Sequence, residues 1–196
     1  MVTWALKEWD AAVTALLTGQ TILLLRKGGI RERQGQFSVV TRQVLLLPTF
    51  EHQKPGLIKP EFQPLIQPAP TEEEAKADQS TAVIFEGWAE ITHGFTLPST
   101  AAALDLVPDL IWTSQFVQER LQWQSERPLY GLLLRAYRFH TPLSLPWHSD
   151  YRGCRSWVEL GQSVSGADST PALPEADYHH RVTRLVADLP EGAKLL

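Results

Sequence analysis

The sequence predicts an α+β fold of mostly antiparallel strands with flanking helices, and three observations carry that expectation. Apolar runs rich in leucine, valine and isoleucine recur at 21–26, 44–47, 82–97 and 129–142, the composition of strands packed on a core. Helical spacing is confined to separate short stretches, at 3–18, 99–106 and 112–124 and again near the C-terminal end. At 196 residues, 43% hydrophobic and 20% charged, the chain can bury roughly 70% of its unfolded surface, and one main domain is expected over residues 1–160.

Leu6, Trp9, Val13 and Leu16 recur at spacings of 3, 4 and 3, which predicts a helix over 3–18 with Thr3 as its cap and Gly19 in the left-handed position after its end. Thr21 to Arg26 follows as a short buried strand, and Lys27-Gly28-Gly29 turns the chain into a loop over 31–36. Strand character resumes from Phe37 to Leu47 and is expected to stop at Pro48, which cannot donate to a ladder. Five prolines between Pro55 and Pro70 exclude regular helix or central strand, so an extended excursion over the surface is expected there. Thr71 and Glu74 stand at capping-box spacing for a short acidic helix. The run 82–97 reads as a strand interrupted at Gly87 by a bulge or a close backbone approach. Leu129 to Pro142 reads as a long strand with Arg135 and Arg138 on opposite faces, and Arg152 to Leu160 as the last strand. Beyond Gly161 a linker and a terminal amphipathic helix near 175–189 are expected, giving 161–196 as a C-terminal appendage.

The longest apolar runs fall far short of the ~20 residues of a membrane span, so no membrane partner is expected. MVTWALKEWD lacks the zones of a signal peptide, and a lone Cys154 excludes an internal disulfide framework. Both point to a reducing cytoplasm.

Charge patterning supplies the clue to a partner. Arg26, Lys27, Arg31, Arg33 and Arg42 fall within 17 positions of a chain whose formal net charge is −4, so positive charge is concentrated there. Arginine forks and glycine amides suit phosphates, and if about four of these side chains neutralise phosphates the salt slope on duplex DNA is near −3.6. The alternative is a solvated hairpin end. Glu51-His52-Gln53 at a strand terminus fits an acid/base pair, a metal site, a base-reading polar network or a structural hydrogen-bond cluster, with Glu51 and Gln53 sharing a face. Tyr151 to Trp157 holds two arginines, two aromatics and Cys154; Tyr151, Arg155 and Trp157 could hold an unstacked base, or the segment could be a strand whose Cys154 and Trp157 pack inward.

No histidine shows zinc-finger spacing or a His-Glu-x-x-His motif, and there is no Walker loop, nucleophile elbow or dinucleotide fingerprint. No catalytic residue, metal or cofactor is therefore assigned. Glu74-Ala75-Lys76 matches half of a nuclease motif in letters only, and Pro108-Asp109 comes after it.

The blocks LLLRKGGIRE, LLLPTFEHQ and YRGCRSWVEL, in that order, closely resemble an uncharacterised bacterial family, domain of unknown function 1802. The resemblance implies a context beside DNA restriction, through occasional fusion to a restriction-endonuclease-type catalytic domain. A weaker resemblance is one of fold. The order of Gly19 to Arg26, VIFEGWAEIT and YGLLLRAYRFHTPLSLP is similar to that in PUA, ASCH and EVE domains, which implies a small pseudo-barrel that binds RNA or modified DNA bases. Gly19 and Arg26 match the ASCH-type pattern; Thr21 and Leu24 stand where lysine and glutamate belong, so no role carries over to those two positions.

The function expected is thus a nucleic-acid-binding specificity module for DNA or RNA, reading modified DNA in a restriction or defence setting. Arg26, Lys27, Arg31 and Arg33 are its expected phosphate ligands, and Glu51, His52, Gln53, Tyr151, Arg155 and Trp157 its expected base contacts. The alternatives are a metal-dependent hydrolase or nuclease centred on Glu51 and His52, and a protein-interaction scaffold using 55–70 and the terminal helix.

Overall fold

The computed structural model describes residues 1–27, 39–51, 53–68, 82–153, 155–189 and 193. The elements run β1 (Val2–Trp9), α1 (Asp10–Leu17), β2 (Leu23–Lys27), β3 (Gln43–Thr49), β4 (Ala82–Leu97), α2 (Thr100–Asp105), α3 (Ser114–Gln122), β5 (Leu129–Pro146), β6 (Trp157–Val164), β7 (Ser169–Pro171) and α4 (Glu175–Ala187). Arg31, Arg33, His52, Cys154 and the acidic helix expected near 71–77 lie outside the described residues.

All seven described strands belong to one sheet in the order β2, β5, β4, β3, β1, β6, with β7 on β5 as well. Every ladder is antiparallel except that between β1 and β3. The chain therefore has the mostly antiparallel α+β fold that its sequence predicts. The long strand β5 carries β2 along Leu129–Leu133 and β7 along Tyr137–Phe139 on the edge that faces away from β4.

Successive residues of the central strands serve two cores. Leu6, Val44 and Leu46 join a large cluster with α1, α2, α3 and α4. Ala5, Leu45 and Leu47 face the other way, into a smaller cluster with Phe85, Phe139, Leu145, Val158 and Leu160. Side chains from five adjacent strands meet in that second core, so the sheet curls around it. The curl explains the unbroken leucine runs, because a strand covered on both faces has no polar side to alternate with. Among the described strands no ladder joins the outer edges, and the barrel-like sheet stays open.

Residues 3–18 are a strand followed by a helix, where the spacing predicts a single helix. The first half sits mid-sheet, with Leu6 opposite Leu46 on one side and Trp157 on the other, and two ladders outweigh helix propensity. Only Val13 and Leu16 belong to a helix, and α1 is buried on nearly every side. Its end is as expected: Gly19 has φ +69°, and a Cβ there would press on the Ala172 carbonyl at 2.7 Å.

β3 also runs past Pro48 to Thr49. Its pairing with β4 covers only Gln43–Leu45, so farther along one side has no ladder and a missing N–H is tolerated. β4 matches its predicted span and shifts register on either side of Gly87, between Phe85 and Gly87 and between Ile91 and His93. A Cβ at Gly87 would overlap the Tyr137 carbonyl and the Leu17 side chain, which is the close approach expected there.

The proline-rich excursion does run over the surface, mostly exposed, but in turns pinned at one point and not as an extended chain. Pro55–Leu57 and Pro60–Leu65 form 3-10 turns, Leu57 and Ile58 are buried, and Ile58 bridges to Trp112. Past Gly161, β6 continues to Val164 and β7 pairs with β5. α4 buries Tyr178, Val182 and Leu185 in the main core. Its Arg184 pairs with Asp109, and its Arg181 donates to the Gly19 carbonyl at 2.9 Å.

Candidate functional site

The carboxyl end of β1 and the first residue of α1 place Lys7, Glu8 and Asp10 inside the protein, with relative exposures of 8%, 6% and 8%. Charges this deep need partners at close range. The partners of these three bring distant parts of the chain together.

Lys7 is the junction. Its Nζ donates to the carbonyls of Tyr151 at 2.9 Å and Gly153 at 3.0 Å, and lies 3.8 Å from the Glu51 carboxylate. The ammonium thereby ties the segment after β3 to the segment before β6. Glu8 turns the other way: Oε1 accepts from the Trp9 amide at 2.7 Å, and Oε2 lies 3.3 Å from Nη1 of Arg26. Arg26 also donates from Nη2 to the Lys7 carbonyl, while its Nε is buried without a hydrogen-bond partner among the described residues.

Lys27 points to a different end. Its Nζ donates to the carbonyls of Arg120 and Leu121, each at 2.8 Å, where the last turn of α3 leaves carbonyls without helical partners. Burial lowers the Lys27 pKa from its ordinary value. Arg26 and Lys27, expected on phosphates, thus hold β1 and α3 in place through contacts within the protein.

Gln53 accepts the Ala11 amide at 3.1 Å through Oε1, filling an open position in the first turn of α1. Beside it Asp10 accepts the Gln67 amide at 3.4 Å. Burial raises the Asp10 pKa above 3.8, the Gln67 contact works against that shift and the Glu86 charge adds to it. A raised folded pKa means that folding favours the protonated carboxyl, so Asp10 costs stability at neutral pH and the cost disappears as pH falls through the folded value. Asp10→Asn keeps an acceptor for Gln67 and is expected to be more stable than the parent at pH 7. Urea titrations should find that advantage gone near pH 3.5, below the ordinary aspartate value; an advantage independent of pH would assign it to something other than the carboxylate.

The segment before β6 presents the exposed half of the site. Tyr151 is 7% exposed and lies edge-on to Phe85, with ring centroids 6.1 Å apart, so it anchors the turn while its carbonyl holds Lys7. Burial raises its pKa. Arg152 is exposed and lies 5.0 Å above the Trp147 ring. Arg155 pairs with Asp150 at 2.8 Å, whose amide donates to Nδ1 of His148 at 3.3 Å. Trp157 opens β6 opposite Leu6 and packs against the main core.

The fold therefore joins Glu51 to the Tyr151 turn and, through Glu8 and the Lys7 carbonyl, to Arg26. It sets Gln53 at the start of α1 and keeps Lys27 and Trp157 in packing roles. Four residues of the site, Lys7, Glu8, Trp147 and Arg152, are missing from the expectation. Lys7-Glu8-Trp9-Asp10 did carry a signal: three charges in four residues beside apolar positions that the core needs. Among the described residues, no three His, Cys, Asp or Glu side chains could share a metal ion, and no helix is long and apolar enough to cross a membrane.

Comparison with known proteins adds a family and three structures. The family described as domain of unknown function (DUF1802) matches residues 5–184, and no curated protein matches. The crystal structure of ASCH from Zymomonas mobilis is similar at 11% identity, covering 93% of this chain and 94% of that one, with a TM-score of 0.42. Two single-residue mutants of the same Zymomonas mobilis protein give TM-scores of 0.43 and 0.40 at 10% identity, each covering 93% of this chain and respectively 96% and 94% of theirs.

Proposed function

We propose, for a chain that belongs to the DUF1802 family, that it is a nucleic-acid-binding specificity module whose ligand face is the Glu51–Gln53 segment together with residues 147–155. The observation that carries this reading is the Lys7 ammonium, within hydrogen-bond reach of the Tyr151 and Gly153 carbonyls and 3.8 Å from Glu51. One buried cation holds a carboxylate beside a turn that exposes Arg152 and Arg155, with Trp147 half-buried beneath Arg152.

The division of labour follows from exposure. Arg152 and Arg155 reach phosphate oxygens, with Arg155 exchanging Asp150 for the ligand. Trp147 offers a face on which an unpaired base can stack, and Glu51 can accept from a base edge. Arg26, Lys27, Gln53, Tyr151 and Trp157 position this surface. Arg31, Arg33 and His52 belong to the same proposal as further ligand contacts. Its finest form is recognition of base-modified DNA beside a restriction-endonuclease-type partner.

The test is fluorescence anisotropy with labelled duplex DNA, plain and base-modified, single-stranded DNA and RNA across a salt series. Trp147→Ala is expected to weaken single-strand binding by about 1–3 kcal/mol. Arg152→Ala should weaken all sequences alike and make the salt slope shallower by roughly 0.7 on single strands. No binding at low salt, or two variants indistinguishable from the parent, would remove the reading.

A further inference from the structure

The amino end of β3 borders a second site. A cleft of about 290 Å³ lies between residues 39–42 and 91–94. Six residue steps along β3 separate it from the end that leads to Glu51, on the order of 20 Å. Pockets for small ligands begin at ~300 Å³, so the cleft suits one compact molecule and not a polymer.

Its walls divide by chemistry. Val39, Val40 and Ile91 give an apolar side, with Val40 46% exposed. Arg42 and His93 give a cationic or hydrogen-bonding side, and among the described residues no acidic one lines the cleft. The β4 register shift between Ile91 and His93 builds the polar side, as bulges re-aim side chains next to sites. Thr92 Oγ1 bonds the Tyr178 hydroxyl at 2.6 Å and lies 3.0 Å from His93 Nδ1. That contact fixes the imidazole and leaves Nε2 for a ligand. The Arg42 carbonyl accepts the Ile91 amide at 2.7 Å, which anchors the backbone, while the residue is exposed and its guanidinium has no ion-pair partner among the described residues. An arginine fork beside an apolar wall is the pattern that receives a planar or tetrahedral oxyanion attached to an apolar body.

We infer that this cleft binds a small organic oxyanion, a carboxylate or a phosphate monoester, with its charged group on Arg42 and His93 and its apolar body against Val39 and Val40. The site lies at the other end of β3 from Glu51.

Isothermal titration calorimetry with phenyl phosphate, benzoate and uncharged benzyl alcohol tests it. Saturable binding of phenyl phosphate or benzoate, but not of benzyl alcohol, is expected, and whichever oxyanion binds more tightly identifies the ligand class. Arg42→Ala should weaken that binding roughly tenfold or more, and His93→Gln should weaken it in a protein that keeps the Arg42 side chain. Trp147→Ala should leave it unchanged, so failure of one site is distinguishable from failure of the other. Absence of saturation by either oxyanion at millimolar concentration, or equal affinity in Arg42→Ala, would overturn the inference.

Discussion

Glu8→Ala is expected to lower the unfolding free energy by about 3–5 kcal/mol, because removing one member of a buried ion pair leaves the other charge uncompensated. The stranded group would be Arg26, whose side chain is only 13% exposed and whose Nε already lacks a partner among the described residues. The Trp9 amide would lose its acceptor as well. Urea unfolding measures the loss directly. The paired replacement Glu8→Met with Arg26→Met should recover most of it, since an apolar pair of similar volume carries no desolvation penalty. A single variant as stable as the parent would mean that water reaches Arg26 in the folded protein.

Lys7→Met should cost about 2–5 kcal/mol, the penalty for leaving two carbonyls without their donor. Its diagnostic effect is local. Methionine keeps the apolar stem in place and removes only the ammonium that holds the Tyr151 and Gly153 carbonyls and faces Glu51. Hydrogen exchange should therefore speed up at the amides of 151 and 152, which bond His148 and Ser149 in the turn, while α4 stays protected. Anisotropy should show a parallel loss of nucleic-acid affinity. Unchanged protection in that turn would show that the Phe85–Tyr151 contact holds it without Lys7.

These expectations centre on residues that reading the sequence passed over, for a physical reason. Period and composition identify strands that run long and uninterrupted: β4 matches its predicted span, and β5 is read correctly from its first residue. They fail for β1, where the sheet buries both faces and the charges at Lys7 and Glu8 point to internal partners. A pattern built on apolar-in and polar-out spacing has no place for a buried lysine. The same blindness affects Arg26 and Lys27, because a cation beside a glycine-rich turn looks identical whether it faces solvent or caps a helix. Glu51 and Tyr151 were legible as candidates one at a time. Their proximity was not, since it depends on β1 pairing with β3 on one side and β6 on the other.

That central position of β1 also sets the order in which the molecule can assemble. β4 and β5 pair along most of their length with α2, a 3-10 turn at Val107–Asp109 and α3 between them in the chain, so their ladder closes a comparatively short loop. β1 closes a loop of similar length to β3 on one side, but on the other β6 joins Val2 to Val164 across nearly the whole described sequence. Loop-closure entropy must be met before contacts so remote return any energy, which makes them slow steps. The β6 side of the earliest strand is accordingly the last to be enclosed, and the hydrogen bonds of Lys7 to the Tyr151 and Gly153 carbonyls belong to the end of folding and not to its nucleus.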